Sequence, residues 1–350
     1  VTRVCIYVDY CRNDTTLAAV QVADWLLKIG VDVVFVTPTK VVKGIHPYWD
    51  NKVYTINNGT TIPRKLANVD YVFWFTLDFL VYTSVLPLVL HYTNTKEPKN
   101  IIFPCWQEQS CTLDTMFAIA DSIVFLSEDN FYWFELKRYK EVKSKFICLP
   151  LVSANKLLVP KKVKVKEKLQ LLITLNKWMF EDDPFLLEHI IRLATLDRCE
   201  VTILLTTSVN RELRRTLQQL QKDYGIKTRT LGYYSQLSYV ASEYDLIFVT
   251  DTRYACGAKL SAIYPSGTPI AAYRIPPVTS YVSNLSTGYL LNCTLDTTKR
   301  PVGKVQDSSH IQGLSKIIQQ KDLNVISRNI HTTYSSMQQK FKEQLNGIMA

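Results

Sequence analysis

What most constrains this chain is the repeated alternation of short, almost wholly apolar runs with longer amphipathic ones. Residues 4–8, 31–37, 71–75, 100–103, 123–126 and 146–149 are runs of the first kind, with a shorter one at 52–56. A strand apolar on both faces belongs in a parallel sheet covered by helices on both sides, because a strand with one wet face alternates instead. Between the first two runs, residues 15–29 carry Leu17, Val20, Ala23, Trp25, Leu26 and Leu27 at helical spacing. Gly30 follows, where a helix end favours a left-handed residue. A helix is also expected after the 71–75 strand, through residue 90, and Ser127 is expected to cap another beginning at Glu128. The alternation lapses over residues 151–168 and then restarts. Strands are expected at 169–175, 200–206, 227–231, 246–250, 269–273 and 288–292, and helices at 184–194, 211–224, 234–243 and 258–264. The reading is an α/β chain of two similar units with a cleft between them. Residues 1–150 form the first, 151–168 a basic linker, and 169–307 the second; 308–350 read as helices expected to pack back on the first.

Composition agrees with two cores. The chain has 350 residues, 47% hydrophobic and 21% charged, which excludes a disordered or fibrous chain. No apolar run reaches the roughly 18–20 residues of a membrane span, and the longest, 81–90, is broken by Pro87. Residues 1–8 enter a strand pattern directly, with no basic region followed by an apolar one, so no secretory signal is expected. Eight cysteines form no CxxC pair, and Cys5, Cys105, Cys148 and Cys199 fall in or beside apolar runs. Buried, reduced thiols in a cytoplasmic setting are therefore expected, rather than disulfides or a zinc site. None of the 11 glycines is spaced as G-x-G, which excludes the dinucleotide-binding fingerprint, and the P-loop, GxSxG and HExxH patterns are absent. His46, His91, His189, His310 and His331 show no metal-ligand spacing, and His189, among Leu186, Leu187 and Ile190, reads as packed. No metal is expected.

The second half carries an ordered set of short motifs. Tyr244-Asp-Leu-Ile-Phe-Val-Thr250 leads through a loop with Gly257 into a helix, then Ser266-Gly-Thr-Pro-Ile-Ala-Ala272, then Gly288-Tyr-Leu290. The first half adds Asp121-Ser-Ile-Val-Phe-Leu-Ser127 and Lys145-Phe-Ile-Cys-Leu-Pro150. In this order the set resembles GT-B nucleotide-sugar glycosyltransferases, whose fold is two Rossmann-like domains facing a cleft. The resemblance implies a nucleotide-sugar donor, UDP-linked, held by the second domain, and an acceptor held by the first. It departs from the retaining members at the two glutamates before the SGTP turn, where Tyr254 and Ala262 stand. The histidine that follows the strand at 100–103 in many members is replaced by Trp106-Gln107-Glu108.

A diphosphate needs cations and backbone N–H groups. On the resemblance, Asn176 and Lys177 after the first strand of the second domain, Arg253 and Gly257 in the later loop, Lys259 in the following helix, and Ser266 and Thr268 of the SGTP turn are the donor-site candidates. Transfer to a hydroxyl by direct displacement needs one general base. Glu108 is the first candidate because it follows a strand of the first domain, at the carboxyl edge where α/β ligands bind. Some members of the fold that glucosylate hydroxymethylated phage DNA place a carboxylate comparably. Asp78 is the second candidate, and Asp14, expected in the loop after the first strand, the third.

The acceptor stays open among three readings. The net charge is +10, and between Lys137 and Lys168 eleven lysines and arginines face two acids. Such a balance favours anionic partners. One reading is a hydroxymethylated DNA base flipped into the site, with Lys137, Arg138, Lys140, Lys143, Lys161 and Lys162 on the backbone. A second is a lipid or polysaccharide acceptor at an anionic membrane, docked by the same lysines. A third is a GT-B-like protein that binds without catalysis. No obligate protein partner is expected.

Overall fold

The computed structural model describes residues 1–8, 13–37, 53–55, 68–75, 98–104, 120–128, 145–159, 168–175, 179–196, 198–205, 210–231, 234–250, 257–275, 278–296, 304–319 and 323–350. Two compact units emerge. The first comprises Val1–Ala154, Ala255–Lys259 and Gln338–Ala350; the second comprises Asn155–Tyr254 and Leu260–Met337.

In the first unit seven strands form one sheet: β1 (Arg3–Val8), β2 (Asp32–Thr37), β3 (Val53–Thr55), β4 (Tyr71–Phe75), β5 (Lys99–Ile102), β6 (Ser122–Phe125) and β7 (Phe146–Cys148). Their order is β3-β2-β1-β4-β5-β6-β7, with every pair parallel. The central strands are buried along their length, as their unbroken apolar sequence requires. Aromatic rings fill the layer around β4. Phe75 stacks on Phe103 at 4.4 Å, and the indole N–H of buried Trp74 donates to Asn100 Oδ1 at 3.0 Å.

Helix α1 (Asn13–Lys28) connects β1 to β2, burying Leu17, Val20, Ala23, Trp25 and Leu26. It ends at Gly30, whose φ of 84° lies in the left-handed region. Asp14 falls within this helix rather than in a loop before it. Trp25 donates to Val152 O at 2.6 Å, and Gln338 Nε2 donates to Ser153 O at 2.9 Å. Leu151–Ala154 is therefore a buried, hydrogen-bonded stretch of the first unit rather than solvated connector.

The second unit holds β8 (Leu169–Leu175), β9 (Cys199–Leu205), β10 (Lys227–Thr230), β11 (Leu246–Val249), β12 (Ile270–Tyr273) and β13 (Gly288–Leu291). The order is β10-β9-β8-β11-β12-β13, again all parallel. In each sheet the first strand is central, the next two lie to one side and the rest to the other. That is the doubly wound Rossmann order. The helices after β8 are α2 (Met179–Asp182), α3 (Leu186–Ala194), α4 (Arg211–Tyr224), α5 (Leu237–Ser242), α6 (Ala258–Ile263), α7 (Val278–Tyr281), α8 (Ser309–Gln319) and α9 (Leu323–Met349), of which α6 begins and α9 ends in the first unit. A small antiparallel pair, β14 (Leu295–Asp296) with β15 (Lys304–Val305), precedes α8. Among the described residues no helix is long and apolar enough to cross a membrane.

An aspartate recurs at the amino end of these strands. Asp70, just before β4, accepts from Arg3 N on β1 at 2.7 Å; Asp121, before β6, accepts from Asn100 N on β5 at 2.6 Å. In the second sheet Asp245, before β11, accepts from Gln170 N on β8 at 2.8 Å. Each carboxylate satisfies a backbone donor where the neighbouring ladder begins. The two aspartates of the motifs at 121 and 245 thus hold strand register and stand opposite the carboxyl edge.

Gly288 opens β13 because nothing larger fits. A Cβ there would lie 2.4 Å from the Ile270 carbonyl oxygen and 2.7 Å from Val282 Cγ1. The valine can turn; the backbone of β12 cannot without breaking its pairing. Gly288→Ala is expected to destabilise the second unit by about 1–3 kcal/mol, the usual range for overpacking, seen as a lower denaturant midpoint. An unchanged midpoint would show that the β12–β13 pair yields freely.

Candidate functional site

In the second sheet β8 and β11 are neighbours, yet the chain leaves β8 toward β9 and leaves β11 toward β12. Their carboxyl ends therefore diverge and open a crevice in the helix layer, the place where open α/β sheets bind ligands. Thr250 ties the two ends together, its buried hydroxyl donating to Thr174 O at 2.6 Å. Gly257 is buried, with φ of 70°. A left-handed residue there turns the loop sharply into α6. Lys259 follows in the first turn of α6 and is only 5% exposed. Gly257 and Lys259 follow β11 in sequence and belong to the first unit. Asn176, Lys177 and Arg253, which follow the same strand ends in sequence, lie outside the described residues.

Ser266 and Thr268 are placed elsewhere in the second unit. They precede β12, at the amino edge of the sheet, and both are buried. Ser266 Oγ accepts from Thr268 N at 3.1 Å, and Thr268 Oγ1 donates to Ala241 O on α5 at 3.1 Å. Between them Gly267 has φ of 68° and its carbonyl accepts from Ser327 of α9 at 2.6 Å. The SGTP turn is a structural joint: the Thr268 hydroxyl ties it to α5 and the Gly267 carbonyl ties it to α9.

In the first unit β4 ends at Phe75 and β5 at Ile102. Asp78 and Glu108 lie a few residues beyond these ends and outside the described residues, as do Lys137, Arg138, Lys140, Lys143, Lys161 and Lys162. Free thiols are found at Cys5, Cys148, Cys199 and Cys293. Burial pushes those of Cys199 and Cys293 up to about 12, so both stay protonated and unreactive. Among the described residues no group of three or more His, Cys, Asp or Glu side chains is arranged to hold a metal ion.

One polar cluster escaped sequence reasoning. Asp183, His189, Tyr273 and His310 are all fully buried in the second unit. Tyr273 donates its hydroxyl to Asp183 Oδ2 at 2.5 Å, and His310 Nε2 lies 3.2 Å from the same oxygen. The rings of His189 and His310 are 5.6 Å apart, and His189 meets Phe248 edge-on at 6.1 Å. No spacing links residues so far apart in the chain; only the sheet gathers them. Sealed from solvent, the cluster serves packing rather than substrate chemistry.

Burial, reinforced by the neighbouring His310, lowers His189 to about 3 from an ordinary 6.5. The imidazole is neutral in the folded chain, while the unfolded chain takes up a proton below pH 6.5. Stability from this group is therefore complete above pH 6.5 and falls as the pH drops toward 3, by up to about 1.4 kcal/mol per pH unit. Between pH 7 and 4.5 the denaturant midpoint of the wild type is expected to fall more steeply than that of His189→Leu, by the equivalent of one proton. Parallel curves would remove His189 as the source.

No protein-family model and no curated protein matches the chain. Solved structures do. The crystal structure of Anabaena HepE in complex with UDP-glucose matches with a TM-score of 0.69 at 10% identity, covering 100% of this chain and 99% of that one. The pneumococcal O-GlcNAc transferase GtfA in complex with UDP and GlcNAc matches with a TM-score of 0.67 at 10% identity, covering 99% of each. A glycosyltransferase from Rickettsia africae ESF-5 matches with a TM-score of 0.66 at 13% identity, covering 99% of this chain and 98% of that one. With both sheets in doubly wound order and these structures matched over nearly the whole length of each, the protein has the GT-B fold of nucleotide-sugar glycosyltransferases.

Proposed function

We propose that the protein is a glycosyltransferase that moves a sugar from a UDP-linked donor onto an acceptor hydroxyl. One observation carries the reading. On a fold whose solved relatives include complexes with UDP and UDP-glucose, a nearly buried lysine, Lys259, follows left-handed Gly257 in the chain after β11. A lysine beside a left-handed glycine suits a diphosphate, which takes cations and backbone N–H groups. Asn176, Lys177 and Arg253, following β8 and β11, complete the proposed donor set.

The chemistry follows from charge. As the bond between the anomeric carbon and the phosphate oxygen breaks, negative charge grows on the departing diphosphate, and a fixed cation there stabilises the transition state more than the ground state. The acceptor oxygen attacks from the opposite face while Glu108 takes its proton, so the configuration inverts. Asp78 is the alternative base. Tyr254 and Ala262, standing where retaining relatives of the fold carry glutamates, support the single displacement.

For the acceptor the proposal is a hydroxymethylated base of DNA, supported by the net charge of +10 and the lysine-rich stretch from Lys137 to Lys168. The setting is a cytoplasm, the host's if the protein is viral, where thiols such as those of Cys5 and Cys199 stay reduced. Labelled sugar appearing on hydroxymethylated duplex DNA supports this acceptor. Label in lipid or polysaccharide points to an enzyme working at an anionic membrane, and donor binding without transfer points to a non-catalytic relative.

Two variants test the site. Lys259→Ala is expected to weaken UDP-sugar binding by about 1–3 kcal/mol, the range for a charge-assisted hydrogen bond, in calorimetry on protein checked for an unchanged melting temperature. Unaltered affinity would remove Lys259 from the site. Glu108→Gln is expected to slow turnover by about 10²–10⁴-fold, the contribution of a general base, with donor affinity nearly constant. Wild-type turnover, or a product that keeps the donor's anomeric configuration, would overturn that role.

A further inference from the structure

We infer that the solvent face of α4 is a docking surface for the phosphate backbone of duplex nucleic acid. Helix α4 is well specified. Asn210 caps its start, the side chain accepting from Leu213 N at 2.7 Å, and Gly225, with φ of 69°, ends it. Leu213, Leu217 and Leu220 are buried and fix its rotation. At 3.6 residues per turn, Arg211, Arg214, Arg215, Gln218 and Lys222 then share an arc of about 100° on the side away from those leucines. All five are exposed. The helix's acids, Glu212 and Asp223, fall together on one flank, where Gln219 hydrogen-bonds to Asp223.

The stripe does nothing for the fold. None of its four cations makes an ion pair with another described residue, whereas Lys227 and Arg229 on the adjoining β10 are paired with Glu200 and Glu243. Arg211, Arg214 and Arg215 also crowd the first turns, where the positive end of the helix dipole disfavours cations. Arg211 is three and four residues from the other two, spacings at which like charges repel. Local electrostatics that run against stability are expected where a ligand supplies the missing charge.

The shape of the stripe selects the ligand. From Arg211 to Lys222 it runs about 16 Å at 1.5 Å per residue, the length of about five base pairs of duplex at 3.4 Å each. Free phosphate would occupy one end of it. Three of the four cations are arginines, whose planar forks pair with phosphate oxygens. An anionic membrane is disfavoured because an interfacial helix must offer an apolar face, and α4 has committed its leucines to the core. The N-terminal end of α4 follows β9, so the arginines lie toward the carboxyl edge of the second sheet. The choice of nucleic acid rests on the DNA-acceptor reading above; the surface itself rests on α4 alone.

The test is fluorescence anisotropy with a labelled 20-base-pair duplex lacking any modified base. It compares wild type with the variant carrying Arg211→Gln, Arg214→Gln, Arg215→Gln and Lys222→Gln, each across a salt series. Loss of four phosphate contacts is expected to reduce the slope of log affinity against log salt by about 3–4 and to weaken binding at least roughly tenfold at low salt. The melting temperature should stay level or rise, since repulsion is relieved. Equal slopes and affinities for variant and wild type overturn the proposal while leaving the acceptor reading intact. A wild type that ignores the duplex but binds vesicles of phosphatidylglycerol and phosphatidylcholine through the same residues, or binds neither, also overturns it. Duplex binding through the stripe without sugar transfer to hydroxymethylated DNA upholds the surface and fails the acceptor reading instead.

Discussion

Parallel pairing about a central strand is the constraint on which the rest depends. β1 is hydrogen-bonded to β2 on one side and β4 on the other, and β8 likewise to β9 and β11. Parallel neighbours can be joined only by crossovers, so helices must cover both faces and the strands must be apolar throughout. With the faces sealed, functional groups are left to the sheet ends. At the carboxyl ends of β8 and β11 the crossovers part, and Gly257 and Lys259 come next after β11 in the chain. The candidate site is a matter of strand order before it is one of particular side chains.

The same constraint explains why several motif residues turn out to be structural. A parallel sheet has two unlike ends. Asp121 and Asp245, the most recognisable letters of their motifs, sit at the amino end and close hydrogen-bond ladders, as does Asp70. The SGTP turn sits at the amino end as well, its hydroxyls engaged by neighbouring backbone. These residues mark the fold strongly because they make the fold. The residues that could differ between one donor or acceptor and another occupy the loops at the other end.

Much of the architecture was legible because both-faced burial leaves an unmistakable apolar run. Tyr71–Phe75, Leu169–Leu175 and Arg211–Tyr224 lie where their patterns place them, and Gly30 and Gly225 end their helices in the left-handed conformation. The small elements were not legible: Met179–Asp182, Val278–Tyr281 and the β14–β15 pair are too short to show a period. The burial of Leu151–Ala154 was hidden by the lysines that follow it, and is decided by tertiary partners, Trp25 and Gln338. In the candidate site, Lys259 is named from its place after Gly257. Ser266 and Thr268 are named from a turn rich in hydroxyls, a pattern that reads equally well as a ligand cradle or as a joint. The buried Asp183–His310 cluster could not be foreseen, since its members meet only when β12, α3 and α8 are assembled.

The central claim is that this fold holds a nucleotide-sugar, and thermal unfolding across a panel of nucleoside diphosphate sugars tests it most directly. A ligand that binds only the folded chain stabilises it by about 2.7 kcal/mol at a hundredfold excess over its dissociation constant, enough to raise the melting temperature by several degrees. The account predicts a saturable rise with UDP and UDP-sugars that is lost with uridine, which lacks the diphosphate. A melting temperature unmoved by every nucleotide-sugar at millimolar concentration, or moved equally by uridine, would contradict it.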